Sequence, residues 1–217
     1  MDPKWREQLE QHRNKRREDI IQGAQQLFLE RGLSSVTLKD VVDFCGISKV
    51  TLYKYFRSLD EIIFEVQINV LSAFWRVVTL HYPEGASGYE KFRQLLEHMI
   101  SASEQHASYV RFIAMFDAFY RESYVNAELE NRYISFLRGD THPFYALLDE
   151  GITDGSIRSD IDINVLTFTL SNVVIATLQR MTVRGKLLHL DQGVEPAFIL
   201  QHMMDMVLTY LKPQGQQ

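Results

Sequence analysis

Little in this chain of 217 residues invites covalent chemistry. Cys45 is the only cysteine, so no internal disulfide can form, which suits a reducing cytosol. No run of eighteen apolar residues exists, which argues against a transmembrane helix. The first residues are polar and charged and lack the apolar stretch of a secretory signal, so the expected location is the cytoplasm. Strand alternation is missing, as are hairpin dipeptides such as Asn-Gly between β-rich runs. Also missing are His-Glu-x-x-His, Gly-x-x-x-x-Gly-Lys-Ser/Thr and Gly-x-Ser-x-Gly. The seven histidines are scattered, and no carboxylate completes a metal site around His98 and His106. No cofactor or metal is expected. A small enzyme, or a helical adaptor that binds protein through an acidic body, stands as the alternative to the reading that follows.

Apolar residues make up 46% of the chain and charged residues 24%, an ordinary balance for one or two globular domains. Net charge is −5, but it is unevenly spread. Residues 1–57 carry eleven Lys/Arg against eight Asp/Glu, a net of +3; the remainder carries twelve against twenty, a net of −8. A basic head for an anionic partner on an acidic body is the pattern.

The periodicity is helical throughout and predicts an all-α chain of about nine to ten helices. Ile20, Ile21, Ala24, Leu27 and Phe28 line one face of a first helix over 17–31, stopped by Gly32. Thr37 and Asp40 form a capping-box start, and the helix they open ends near Gly46. Ser48 caps a short helix, Lys49–Phe56; Ser58 and Glu61 open a long one to about Leu80, with Ile62, Val66, Val70, Ala73 and Val77 on one face. Further helices are expected near 89–106, 108–121, 124–138, 143–151, 162–184 and 195–211, with breaks at 83–88, 139–143 and 151–160 and a frayed tail of five residues.

Residues 37–56 read as a helix-turn-helix. Val41, Cys45, Ile47, Leu52 and Tyr55 are spaced to pack two helices together, which leaves Lys49, Val50, Thr51, Tyr53 and Lys54 outside. A helix of eight residues rises about 12 Å, and a B-DNA major groove is about 12 Å wide. Lys49 and Lys54 suit phosphate or guanine; Thr51 and Tyr53 offer hydroxyls to phosphate; the methyls of Val50 and Thr51 suit thymine. Thr37 and the helix start it caps suit another phosphate. Spacing alone also allows an ordinary helical hairpin with a basic solvated face. The basic segment ahead of the first helix (Lys4, Arg6, Arg13, Lys15, Arg16, Arg17) allows either a flexible arm into a minor groove or a solvated helical extension, since Glu7, Glu10, Glu18 and Asp19 are interleaved.

The run Gly46-Ile-Ser-Lys-Val-Thr-Leu-Tyr-Lys-Tyr-Phe-Arg-Ser-Leu-Asp-Glu-Ile62 resembles the signature of the TetR/AcrR family of transcriptional regulators, and the likeness covers about 17–66. Elsewhere it rests on length, helical pattern and the phrase Glu150-Gly-Ile-Thr-Asp-Gly-Ser-Ile-Arg158. The resemblance implies an all-α homodimer with a DNA-binding head, here 1–57, and an effector-binding and dimerisation body, 58–217. It implies a repressor of a palindromic operator, released by a small hydrophobic or aromatic effector. It places DNA contacts on Thr37, Lys39, Ser48, Lys49, Val50, Thr51, Tyr53, Lys54 and Tyr55. Leu59 stands where family members often have lysine, so Arg57 takes that phosphate contact; Val42 and Val50 stand where smaller residues are usual.

In the body, the apolar helices near 162–184 and 195–211 are expected to pair with their mates across a dimer interface, through Leu166, Leu170, Val173, Val174, Thr177, Phe198, Met203, Met206 and Tyr210. Plain core packing is the other reading. Trp75, Phe112, Met115, Phe116, Phe119 and Tyr120 are candidates for an apolar effector pocket, with His98, His142 and Asn172 as polar orienting groups. Each is also an ordinary core residue by its pattern. Cys45 is read as a small core residue.

Overall fold

The computed structural model of the protein describes residues 3–79, 81–138 and 142–213. Ten α-helices and one 3-10 turn, with no strand, make up these residues: α1 Pro3–Arg31, the turn Leu33–Ser35, α2 Leu38–Phe44, α3 Lys49–Leu52, α4 Leu59–Val78, α5 Gly88–Gln105, α6 Ala107–Phe119, α7 Ala127–Arg138, α8 Pro143–Thr153, α9 Ile163–Gln192 and α10 Pro196–Leu211. The all-α expectation agrees with this order. The expected helix end at Leu80, the centre of the 139–143 break, the side chain of Lys4 and most of the frayed tail lie outside the described residues.

Two long helices run well past their expected bounds. Helix α1 starts at Pro3 rather than Arg17. Residues 4–22 hold no glycine or proline and are rich in Glu, Gln, Arg and Lys, all good helix formers. The basic segment is therefore helical and not a flexible arm. Helix α9 passes Gly185 and ends only at Gly193, whose φ of 67° supplies the left-handed stop. Gly185 instead gives room to α10: a Cβ there would lie 3.2 Å from Pro196.

The chain divides into two compact units. The first comprises the residues up to Leu71 together with Phe112–Ser135; the expected boundary at 57/58 falls inside it. Ile20, Ile21, Ala24, Leu27 and Phe28 of α1 are all buried, with Leu33, Val36, Val41, Leu52 and Phe56 around them. From α4 come Ile62, Ile63, Phe64, Val66 and Val70, and from α6 Phe112 and Phe116. One charge sits in this interior. Glu65 of α4 is only 4% exposed. It pairs with Arg17 of α1 at 2.5 Å and with Arg132 of α7. A buried carboxylate needs such partners, because desolvation alone would cost several kcal/mol. Arg17 also lies over the Phe56 ring, 5.2 Å from its centre.

The second unit comprises Ser72–Arg111 together with the chain from Phe136. Along α4 the buried face here is Phe74 and Val78, while Val77 is exposed, so the expected stripe through Val77 is displaced by one residue. The Glu150–Arg158 segment closes the unit. At Gly88 a Cβ would fall 2.2 Å from the Gly151 nitrogen, so α5 and α8 meet backbone to backbone. Asp154 accepts from the Gly88 N–H at 2.8 Å and Ser156 from the Tyr89 N–H at 3.1 Å, which satisfies the start of α5. The Ile157 N–H returns to the Gly151 carbonyl, the Arg158 N–H reaches the Leu211 carbonyl, and the Arg158 guanidinium lies over Tyr210.

Gly88→Ala is expected to destabilise the protein by about 1–3 kcal/mol or more, because neither backbone at this crossing can yield cheaply. Urea unfolding checks this; an unchanged midpoint would contradict the close approach.

Candidate nucleic-acid interface

The short helices α2 and α3 are held by side chains as much as by their own hydrogen bonds. Thr37 Oγ1 accepts from the Asp40 N–H at 3.3 Å and Asp40 accepts from the Thr37 N–H at 2.8 Å, so the expected capping box is complete. The Thr37 hydroxyl itself donates to Asp40. That hydroxyl and the Thr37 N–H hold the Asp40 carboxyl below its usual range. Thr37 thus acts through the helix start it caps. Gly46, at φ 61°, makes the turn. Ser48 accepts from the Thr51 N–H at 3.1 Å, and the two hydroxyls lie 2.9 Å apart.

Regular α3 spans only Lys49–Leu52, not Lys49–Phe56. Four residues rise about 6 Å. The chain then tightens: the Lys54 N–H bonds the Thr51 carbonyl and the Tyr55 N–H the Leu52 carbonyl, three residues back in each case. Burial of Leu52 and Phe56 fixes both ends of this turn. Cys45 packs rather than reacts. Its sulfur occupies the place where a Gly23 side chain would be, 2.8 Å from that Cβ, and burial raises its thiol pKa.

The outer face carries Thr37, Lys39, Ser48, Lys49, Val50, Tyr53, Lys54 and Arg57, all exposed, with Thr51 and Tyr55 half-buried beside them. Val50 is the most protruding apolar group here, 71% exposed. The Lys49 ammonium sits 5.8 Å over the Tyr53 ring. Arg57 meets Glu128 at 3.4 Å across open surface, a pair too exposed to restrain it. The residues picked from sequence are thus basic, hydroxyl-bearing or apolar side chains exposed or half-buried on α2, α3 and the turn after it.

Residues 20–66 match the model of the bacterial regulatory proteins of the tetR family. The HTH-type transcriptional repressor KstR2 of Rhodococcus jostii is 31% identical over 154 residues, which cover 69% of this chain and 72% of that protein. The chain belongs to the TetR family. It is a DNA-binding transcriptional regulator, and its relatives and structural neighbours are regulators rather than enzymes. The solved KstR2 of Mycobacterium tuberculosis, described as a ketosteroid transcriptional regulator, superposes with a TM-score of 0.59 at 21% identity, over 91% of this chain and 95% of that one. The fatty acid degradation regulator FadR of Bacillus halodurans superposes at 0.68 with 14% identity, over 88% and 94%. Among the described residues no helix is long and apolar enough to cross a membrane.

The candidate effector residues of this TetR-family protein separate into two groups. Phe112, Met115, Phe116, Phe119 and Tyr120 belong to the first unit. Phe112 and Phe116 are fully enclosed, packed on Phe28 and Phe64, so they face protein; Phe119 is 42% exposed. Tyr120 donates to Asp60 at 2.6 Å, and burial with that bond raises its pKa. Trp75, His98, His142 and Asn172 belong to the second unit. Asn172 is exposed, its amide bound to the Phe168 carbonyl. Trp75 and His142 do meet, ring centres 6.1 Å apart, with Phe144 and Phe168 on other sides of the imidazole. His142 Nδ1 accepts from the Phe144 N–H, and Nε2 lies 3.1 Å from Ser171 Oγ. Thr167, one turn earlier on α9, is buried with its hydroxyl unpartnered, as is Nδ1 of His98 on α5. Thr167 and Ser171 are two hydroxyls four apart on an apolar helix and so share a face, a spacing visible in the sequence.

Of the nine residues assigned to the interface, Val174 is fully buried in the core. The other eight line an open apolar groove of about 1040 Å³ on α9 and α10. Val165, 64% exposed, and Val194 join them there without having been picked out.

Burial lowers the His142 pKa below its ordinary 6.5. The folded state therefore binds fewer protons than the unfolded chain just below pH 6.5, so stability rises with pH through that window. His142→Asn is expected to flatten the rise just below pH 6.5; thermal melts on the acid side of that pH check it, and an unaltered slope would contradict the burial.

Proposed function

We propose that this protein is a homodimeric repressor that reads a palindromic operator with Lys49, Val50 and Thr51 and grips the backbone through Lys39, Ser48, Tyr53, Lys54, Tyr55, Arg57 and the Thr37-capped start of α2. The observation that carries the proposal is the set of exposed basic and hydroxyl side chains on and around α3 in a chain that is otherwise acidic. A single α3 touches few base pairs, which favours two copies on half-sites about one helical turn, or a multiple, apart.

The second copy covers the groove of α9 and α10. Both helices bury one side in their own core, yet keep Val165, Val173, Phe198, Met206 and Tyr210 exposed on the other. A contiguous apolar surface of this kind is uncommon on a monomer. The effector is a small, largely apolar molecule. The names of KstR2 and FadR, regulators of ketosteroid and fatty acid metabolism, support that class. The Trp75–His142–Phe144 cluster, with Ser171 and Thr167, supplies aromatic faces and neutral hydrogen-bonding groups for one. Effector binding tilts α4 and changes the spacing of the two heads, a coupling of about 1–3 kcal/mol.

Selection of bound sequences from random DNA tests the reading directly, and a chain with no salt-dependent affinity for DNA would end it. With a selected operator, Lys54→Ala is expected to weaken all sequences by a similar factor, whereas Lys49→Ala relaxes base preference. Phe198→Asp with Met206→Asp is expected to yield monomers in sedimentation and to cost operator affinity at least tenfold, roughly the 1.4 kcal/mol or more lost with paired half-sites. A doubly substituted protein that still sediments as a dimer would move the interface elsewhere.

A further inference from the structure

We infer that the helical extension of α1 is a second DNA-binding element, a rigid rail that takes phosphates beside the half-site read by α3. The inference rests on the DNA-binding reading and assigns a surface that reading does not use. At 3.6 residues per turn, Arg6, Arg13, Arg16 and Arg17 fall within about 100° of arc on one side of α1. Glu7, Gln11 and Glu18 fall outside that sector, and only Glu10 stands at its edge. The helix thus gathers the arginines on one side and leaves Lys15 on the other among Glu7, Glu18 and Asp19.

The basic side faces the recognition element. Two adjoining grooves of about 530 and 720 Å³ lie along it. Arg6, Glu10, Arg13, Arg17 and Tyr55 line the first; His12, Arg13, Arg16, Lys54 and Tyr55 line the second. Lys54 and Tyr55 lie in the turn that follows α3, so the rail continues the surface proposed to read the operator. Arg17 is engaged with Glu65 and Phe56. Arg6, Arg13 and Arg16 are exposed and have no carboxylate partner among the described residues. Exposed guanidinium groups without a carboxylate partner are placed for an external anion. Arg6 and Arg16 are separated by ten residues, a rise of about 15 Å, which matches the axial rise of about four phosphates on one strand. A planar guanidinium also suits the bidentate recognition of phosphate.

Arg17 makes the rail rigid. Its ion pair ties α1 to α4, so arginines one to three turns earlier are carried in fixed register with Lys54. A flexible arm would reach the same phosphates only by losing conformational freedom on binding.

The test uses the full chain and an operator selected from random DNA. Arg6→Gln, Arg13→Gln and Arg16→Gln together are expected to weaken binding about tenfold near 0.1 M salt and to lower the slope of log K against log [salt] by two to three. Protection from hydroxyl radical should be lost at phosphates flanking the half-site, with base preference unchanged. Gln11→Pro, on the far side of α1, leaves every arginine in place and breaks the helix; it is expected to weaken binding to a similar extent, with the thermal midpoint of the core retained. Wild-type affinity, slope and footprint in the triple variant would overturn the inference while leaving the DNA-binding reading intact. A weak triple variant beside an unaffected Gln11→Pro would replace the rail with a flexible arm. Absence of salt-dependent DNA binding by the wild-type chain would overturn both readings.

Discussion

The first unit is organised around a carboxylate taken out of water. Glu65 is buried on α4 and is tolerable there only because Arg17 and Arg132 reach it from α1 and α7. A hydrophobic contact can slide by an ångström at small cost; an ion pair in a poorly hydrated interior cannot, since its attraction steepens as the dielectric falls. Three helices distant in sequence are therefore pinned at one point. Arg17 passes the constraint on by lying over Phe56, the buried residue that closes the recognition turn. The turn that follows α3 is thus tied through Arg17 to a charge buried on α4.

Much of this was legible in the chain. The α1 stripe Ile20, Ile21, Ala24, Leu27, Phe28 is buried as its spacing demands, and the Thr37–Asp40 and Ser58–Glu61 caps form where the side chains offer them. Local rules of this sort need only neighbours three or four residues away. The outer face of the helix-turn-helix was readable for the same reason, since Leu52 must point inward and so sends Lys49, Val50 and Tyr53 outward. The helical state of residues 3–16 was not decided by apolar periodicity, because that stretch has none; propensity and charge carry it.

What escaped was mainly long-range. Glu65 reads as one polar residue in an apolar helix until Arg17 and Arg132, 48 and 67 positions away, are seen beside it. Phe112 and Phe116 read as pocket residues because aromatic clustering looks the same whether rings enclose a ligand or other rings; here Phe112 packs on Phe28 and Phe116 on Phe64. Val77 and Val174 show the complementary error, in which one apolar residue of a stripe is exchanged for its neighbour as a helix turns against its partners. Both α9 and α10 keep apolar residues exposed beyond those their own core absorbs.

The shortness of α3 has a genetic consequence. One turn of helix closed by Ser48 and anchored by Leu52 and Phe56 has almost no intrinsic stability, since so few residues cannot offset the cost of helix nucleation. Its shape is borrowed from the interior behind it. Changes of operator preference should therefore arise from alleles at buried positions such as Val41, Leu52 or Phe56 as well as from the exposed readers, and the two kinds of allele would look alike in a screen that scores only binding. Temperature separates them: alleles of the interior lose DNA as the head softens, while alleles of the surface shift preference equally at every temperature at which the protein is folded.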